Sequence, residues 1–172
     1  MGKRLKVYLS GPEHLLPNAK EILEGMYALC EQYGFDPIHL PDALFDPGSN
    51  FEEGVRIAEE RRNQIGECDV IFANTMDFRD TTEPYGETSF ELGYAWRLGK
   101  KLYCYMPDAR GCDQRYPGEK HQNESGRWVD KNGIGFEPGP LNLMLHSPSV
   151  IVEGTLEDAL KRAAEDLASE EE

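Results

Sequence analysis

The sequence predicts an α/β chain built on a doubly wound, five-stranded parallel sheet with helices on both faces. Three observations carry that prediction. Five short apolar runs recur along the chain, at residues 5–10, 35–40, 70–73, 101–106 and 149–152. Segments of one-faced helical periodicity separate most of them, the alternation of a parallel α/β sheet. With 172 residues, the chain is long enough for one good core and too short for two, so 1–172 is expected to fold as a single domain.

Each element has its own signal. Residues 5–10, Leu-Lys-Val-Tyr-Leu-Ser, read as the first strand and stop at Gly11-Pro12, a turn pair. Residues 18–32 put Ile22, Leu23, Met26, Leu29 and Cys30 on one helical face, and Gly34 ends the helix. A short second strand at 35–40 leads into a loop, 41–50, rich in Pro, Asp and Gly. The helix at 51–67 is expected to bury Phe51, Val55, Ala58 and Ile65, and it carries Arg61 and Arg62. Val70-Ile71-Phe72-Ala73 is continuously apolar, as a strand covered on both faces should be. A polar loop follows, then an amphipathic helix from about Thr88.

Residues 101–106 form the fourth strand, ended by Pro107-Asp108. The stretch 109–138 is polar and glycine-rich, longer than connections in compact domains usually run, and is expected to be a lid or functional arm. Pro138-Gly139-Pro140 precedes a short apolar helical turn, 141–145, that carries one amide, Asn142. The last strand is 149–152. The last helix is 155–168, with Thr155, Glu157 and Asp158 as start signals and an acidic tail behind it.

Composition narrows the partners. Eighteen basic against 32 acidic residues give a formal charge of −14. Such a surface repels phosphate backbones and anionic lipid, so neither a nucleic-acid polymer nor a membrane is expected as partner. A small, mostly neutral substrate is. Cys30, Cys68, Cys104 and Cys112 form no CxxC pair and have no metal spacing. Reduced thiols in a cytoplasmic protein are the expectation, with Cys30, Cys68 and Cys104 as small buried hydrophobes. No apolar run reaches spanning length, and Met1-Gly2-Lys3-Arg4 leads into a strand instead of a signal-peptide core.

The chemistry concentrates between Cys68 and Lys100. In an open α/β sheet, ligands bind outside the carboxyl ends of the strands, so an acid early in the helix after the central strand faces the crevice. Glu91 is that acid. Phe90, Leu92, Ala95, Tyr94 and Trp96 surround it in sequence, and a charge buried there without a partner is costly. The plain structural alternative is a capping box, Thr88 as N-cap with Glu91 three residues on. Tyr8 reads either as core of a central strand or as a catalytic phenol, and Ser10-Gly11 sits at the crevice end of strand one. His39 has no ligand-spaced neighbour and reads as structural. There is no GxxxxGK[ST], no GxGxxG and no flavin phosphate loop.

Taken in order and spacing, Tyr8-Leu9-Ser10-Gly11-Pro12, Cys68-Asp69, Phe78-Arg79, Glu83-Pro84, Phe90-Glu91-Leu92-Gly93-Tyr94-Ala95, Gly99-Lys100 and Asn142-Leu143-Met144 give the chain its likeness. It resembles the nucleoside 2-deoxyribosyltransferase family, flavodoxin-like enzymes that exchange the base of a 2'-deoxynucleoside. The resemblance covers nearly the whole chain. It implies Glu91 as nucleophile, oriented by Tyr8, with substrate contacts at Ser10, Gly11, Phe78, Arg79, Glu83, Asn142 and Met144. It implies no metal and no organic cofactor, a nucleoside and a free nucleobase as ligands, and a homo-oligomer in which Asn142 and Met144 reach a neighbouring site.

The chain departs from the family pattern in two places. Tyr85 stands where an aspartate that handles protons on the base is common, and Asp77, Asp80, Glu83 and Glu87 are the nearby acids. Arg61, with Asn63 close by, stands where a base-contacting acid or amide is expected. Two other readings follow. One is a nucleoside 5'-monophosphate N-glycosidase that holds phosphate on the Ser10-Gly11 turn and Arg79, with Arg61 or Arg62. The other is a non-catalytic flavodoxin-like nucleotide-binding module, in which Glu91 caps a helix and Asn142 is a turn residue.

Overall fold

A computed structural model describes residues 4–45 and 50–170. The chain start Met1-Gly2-Lys3, the middle of the expected loop 41–50 and the last two acidic residues of the tail lie outside the described residues. The main sheet holds β1 (Lys6–Ser10), β2 (Asp36–Pro37), β3 (Val70–Asn74), β4 (Lys101–Met106) and β7 (Val150–Glu153). A separate two-stranded sheet pairs β5 (Lys120–Gln122) with β6 (Trp128–Asp130). In the main sheet the order is β2-β1-β3-β4-β7, every pair parallel. The chain therefore reverses its winding between β1 and β3. That is the switch point at which a crevice opens.

Helices cover both faces, as expected. α1 (Ala19–Gln32) and α6 (Leu156–Glu170) pack together on one, α2 (Phe51–Glu67) and α3 (Gly86–Arg97) on the other. Val7, Val70, Ile71, Phe72 and Cys104 are fully buried at the centre of the sheet. Burial of this kind, roughly 25 cal/mol per Å² of apolar surface, holds the layers together. All four cysteines are buried and free. Burial pushes the Cys30 and Cys104 thiols up to about 12 and Cys68 to about 11. No helix among the described residues is long and apolar enough to cross a membrane.

Four expectations are corrected. The second strand shrinks from 35–40 to Asp36–Pro37, although Asp36 and Ile38 still donate their N–H groups to Leu5 and Val7 at 2.9 and 2.8 Å. Pro37, which has no N–H, is tolerated because β2 is an edge strand. α2 is rotated relative to the predicted face. It buries Ile57, Arg61 and Ile65, while Phe51 is 86 % exposed and Val55 and Ala58 also face out. α3 starts two residues before Thr88, with Tyr85 at the N-cap position and no side-chain cap. The Thr88–Glu91 capping box is therefore absent.

The fourth correction concerns 109–138, which is structured throughout much of its length. It contains α4 (Cys112–Arg115) and the β5–β6 hairpin, turned at Asn123–Gly126. Buried Arg115 anchors it. Its guanidinium binds Asp77 at 2.9 Å and the carbonyls of Arg110 at 2.6 Å and Pro140 at 2.9 Å. Two strands of three residues each, one wholly polar and the other Trp-Val-Asp, are too short to show an alternation, which is why the pattern suggested a loop.

Candidate active site

The site grows from β1. Side chains two apart on a strand share a face, so Tyr8 and Ser10 both point to the α2–α3 side. α3 lies against β3 and β4 and brings Glu91, only 3 % exposed, to meet them. The Tyr8 hydroxyl donates to Glu91 Oε1 at 2.7 Å, and Ser10 Oγ donates to Oε2 at 2.6 Å. Glu91 is the sixth residue of α3, beyond the first turn where a helix dipole is felt.

A different cation holds its charge. Arg61, its side chain 5 % exposed, reaches from α2 with Nη2 2.8 Å from Glu91 Oε1. The same guanidinium donates through Nε to the Tyr8 oxygen at 2.9 Å and through Nη1 to Glu87 Oε1. The Tyr8 oxygen thus accepts from Arg61 and donates to Glu91, a chain in which each group fills the other's need. Burial pushes the Glu91 carboxyl above its usual range, against Arg61, Ser10 and Tyr8, which pull it down. Burial, and then the neighbouring Glu91 charge, raise the Tyr8 phenol well above 10. Tyr8 therefore stays a donor.

Beside this triad lies the turn after β1. Gly11 leaves no room for a side chain: a Cβ there would meet the Glu13 carboxylate and come within 2.9 Å of Asn74 Cβ. The short 3₁₀ turn Pro12–Leu15 is pinned by Asn74, which donates to Glu13 at 2.6 Å, and by His14, whose Nδ1 lies 3.0 Å from the Gly11 carbonyl. His14 Nε2 is 3.6 Å from Glu87 Oε1. Burial, then Arg61, lower the imidazole below its usual value, opposed by Glu87 and the Gly11 carbonyl.

The remaining expected residues gather in a second group on the loop after β3. The Phe78 ring lies 4.9 Å from the Tyr85 ring, which in turn lies 5.7 Å from His14. Arg79 sits over Phe78 at 4.9 Å, exposed, and with Asp80 forms a tight turn in which both residues have positive φ. Asn142 caps α5 (Leu143–His146), accepting from Leu145 N–H at 3.2 Å and donating to Glu83 at 3.2 Å. Met144 is 78 % exposed.

Of the expected residues, Glu91, Tyr8, Ser10 and Gly11 come together, with Phe78 linked through Tyr85. Arg79, Glu83, Asn142 and Met144 stand apart from the carboxylate within this chain. Two residues of the site escaped sequence reasoning. His14 belongs to no motif, and its only signal is its place three residues after Gly11. Arg61 was visible as a departure from a pattern, but nothing in the sequence paired it with Glu91. Among the described residues no cluster of three or more His, Cys, Asp or Glu is placed to hold a metal. All four thiols are buried, so none is offered as an exposed nucleophile.

Comparison with known proteins bears on the family and the fold. The model of the nucleoside 2-deoxyribosyltransferase family matches residues 7–144. A 2-desoxiribosyltransferase from Leishmania mexicana superposes with a TM-score of 0.70 at 28 % identity, over 94 % of this chain and 97 % of that one. An uncharacterized protein of Schizosaccharomyces pombe is 25 % identical over 95 % of this chain and 88 % of its own length. With four fifths of its residues inside the family match, from the Tyr8 strand through Glu91 to Met144, the chain belongs to the nucleoside 2-deoxyribosyltransferase family.

Proposed function

We propose that the protein cleaves the N-glycosidic bond of a 2'-deoxynucleoside through Glu91 and transfers the deoxyribosyl group to another purine or pyrimidine base. The observation that carries this reading is a single buried carboxylate with two hydroxyls and a guanidinium aimed at it. Such an acid stabilises the oxocarbenium-like state on one face of the sugar and then bonds to C1'. Oε1 accepts from Tyr8 and lies in ion-pair contact with Arg61 Nη2, whereas Oε2 accepts only from Ser10. Oε2 is thus the less occupied oxygen and keeps a lone pair for attack. Tyr8, Ser10 and Arg61 position the carboxylate, and that positioning governs whether attack geometry is reached.

Hydrolysis of a nucleoside 5'-monophosphate is the second reading. Of the cations expected to hold its phosphate, Arg61 is spent on Glu87 and Glu91, which favours an uncharged nucleoside. The reading also includes a homo-oligomer in which Asn142 and Met144 serve a neighbouring copy. The exposure of Met144 and Leu143 on α5 supports it, and a strictly monomeric protein by light scattering would remove it.

The test combines two measurements. Intact-mass analysis after incubation with a 2'-fluoro-2'-deoxynucleoside should find a sugar adduct on Glu91, and Glu91→Gln should abolish it. Deoxyinosine and deoxyinosine monophosphate, each with and without adenine, then separate the readings. Base exchange supports the transferase, whereas hypoxanthine release from the monophosphate alone supports the hydrolase. No exchange, no release and no adduct would leave a non-catalytic module.

A further inference from the structure

Breaking the bond between C1' and a purine nitrogen needs a proton on the departing base, and Tyr85 stands where the family commonly places the acid. We propose that His14, held by Gly11 and paired with Glu87, delivers that proton and takes one back from the incoming base. This rests on the transferase reading above.

The nearby carboxylates are otherwise engaged. Asp77 is gripped by Arg115, whose Nε and Nη2 both reach it. Glu83 accepts from Asn142, and Asp80 is exposed at the tip of its turn. Glu87 Oε1 accepts from Arg61 Nη1–H, so that oxygen is an acceptor and not a proton donor. That leaves the imidazole. A carbonyl only accepts, so the 3.0 Å contact with Gly11 oxygen puts a hydrogen on Nδ1 and makes Nε2 the titrating nitrogen. The His14 side chain is 6 % exposed, too enclosed for a solvated surface histidine.

Two short chains of contact join it to the nucleophile. One runs from Glu91 to Ser10, across the peptide to the Gly11 carbonyl, and on to His14. The other runs from Glu91 through Arg61 and Glu87 to Nε2. The 3.6 Å separation from Glu87 is longer than a hydrogen bond, and catalytic contacts of this kind commonly tighten only on binding substrate.

In the forward step the Nε2 proton moves to a ring nitrogen of the base. The C1'–N bond breaks with its electron pair going to the base, and a lone pair of Glu91 Oε2 forms the C1'–O bond. In the return step the incoming base attacks C1' with a ring-nitrogen lone pair and its N–H proton passes to Nε2. The C1'–O pair goes back to Glu91. Atoms and charge balance without any further reactant.

The charged groups that act on the His14 ring are Arg61 from α2 and Glu87 at the start of α3, and the other titratable groups around it are Tyr85, Glu91 and, on its own turn, Glu13. The test uses two substrates: 2'-deoxyinosine, whose base must be protonated to leave, and 7-methyl-2'-deoxyguanosine, whose base is already cationic. His14→Gln should lose ~10²-fold or more in kcat/KM on the first and only a few-fold on the second, the usual range for an acid–base group. Turnover of the methylated substrate also certifies that the variant is folded.

The unsubstituted protein gives an independent reading. Its kcat/KM on deoxyinosine should fall as pH rises through the imidazole range, and that limb should be missing with the methylated substrate. Glu87→Gln should move the limb to lower pH, since Glu87 favours the charged ring. Equal losses on both substrates, or no loss on deoxyinosine, would overturn the assignment. An unsubstituted protein inert toward both substrates would overturn the transferase reading, and this one with it.

Discussion

Replacing Arg61 with methionine isolates the feature that most distinguishes this site. Methionine keeps much of the packing and removes the cation. In the native chain the guanidinium touches Glu91, Glu87 and Tyr8 at once, with its side chain 5 % exposed. Removing one partner of a buried ion pair leaves the other charge uncompensated, at a cost of ~3–5 kcal/mol. For a chain of this size that corresponds to a drop in Tm of roughly 6–20 °C.

The cost comes from the stranded carboxylates, so Glu91→Gln in the same molecule should recover part of it. A double-mutant cycle is then expected to return a coupling of ~1–3 kcal/mol. Differential scanning calorimetry and urea titration of the four proteins measure both quantities. A second signature lies in activity: Arg61 pulls the Glu91 carboxyl down, so without it the acid limb of the rate profile should move to higher pH. An Arg61→Met protein within ~1 kcal/mol of wild type, or a double variant no more stable than Arg61→Met, would refute the idea that Arg61 neutralises Glu91.

Glu91→Gln should keep the fold and lose at least ~10³-fold in transfer, as nucleophile removal does elsewhere, checked by a base-exchange assay with circular dichroism. Ser10→Ala deletes one hydrogen bond to a charged group, ~1.5–3 kcal/mol, and should lower Tm by roughly 3–12 °C and kcat/KM by roughly 10- to 100-fold. Because the folded chain raises the Glu91 carboxyl, its contribution to stability is full below the usual carboxylate value and is lost as pH rises through the raised one. Glu91→Gln should therefore gain on wild type over that window in urea titrations. His14 has the opposite sign: its lowered folded value means a contribution present above ~6.5 and lost as pH falls, which His14→Gln should flatten. Arg115→Ala should leave the main sheet protected in hydrogen exchange while amides of 112–140 exchange much faster.

Much of the architecture was legible because its signals are local. Val70 to Ala73 is apolar at every position, and the α1 line from Leu23 to Cys30 repeats at helical spacing, so β3 and α1 follow from period alone. α2 followed in its span but not in its face. Of Phe51, Val55, Ala58 and Ile65 only Ile65 is buried, and the helix buries Arg61 beside it, because the partners of that arginine, Glu87 and Glu91, lie 26 and 30 residues away in sequence and no periodicity records them. Glu91 and Tyr8 were identified from a crevice rule and a resemblance, and the hydrogen bond between them is a long-range fact that only the fold supplies. The arm after β4 was illegible for a different reason: its strands are three residues long with Val129 as their buried residue, and the arginine before them is tied to Asp77 and the Pro140 carbonyl, 38 and 25 residues away.

Tyr8 has no exposed surface and lies on β1, an interior strand of the five-stranded sheet between β2 and β3. The phenol that aims the carboxylate is thus also interior packing, and it cannot swing away unless the layers themselves part. Loss of turnover in rising denaturant should then coincide with collapse of the whole molecule, leaving no window in which a compact but inactive form accumulates.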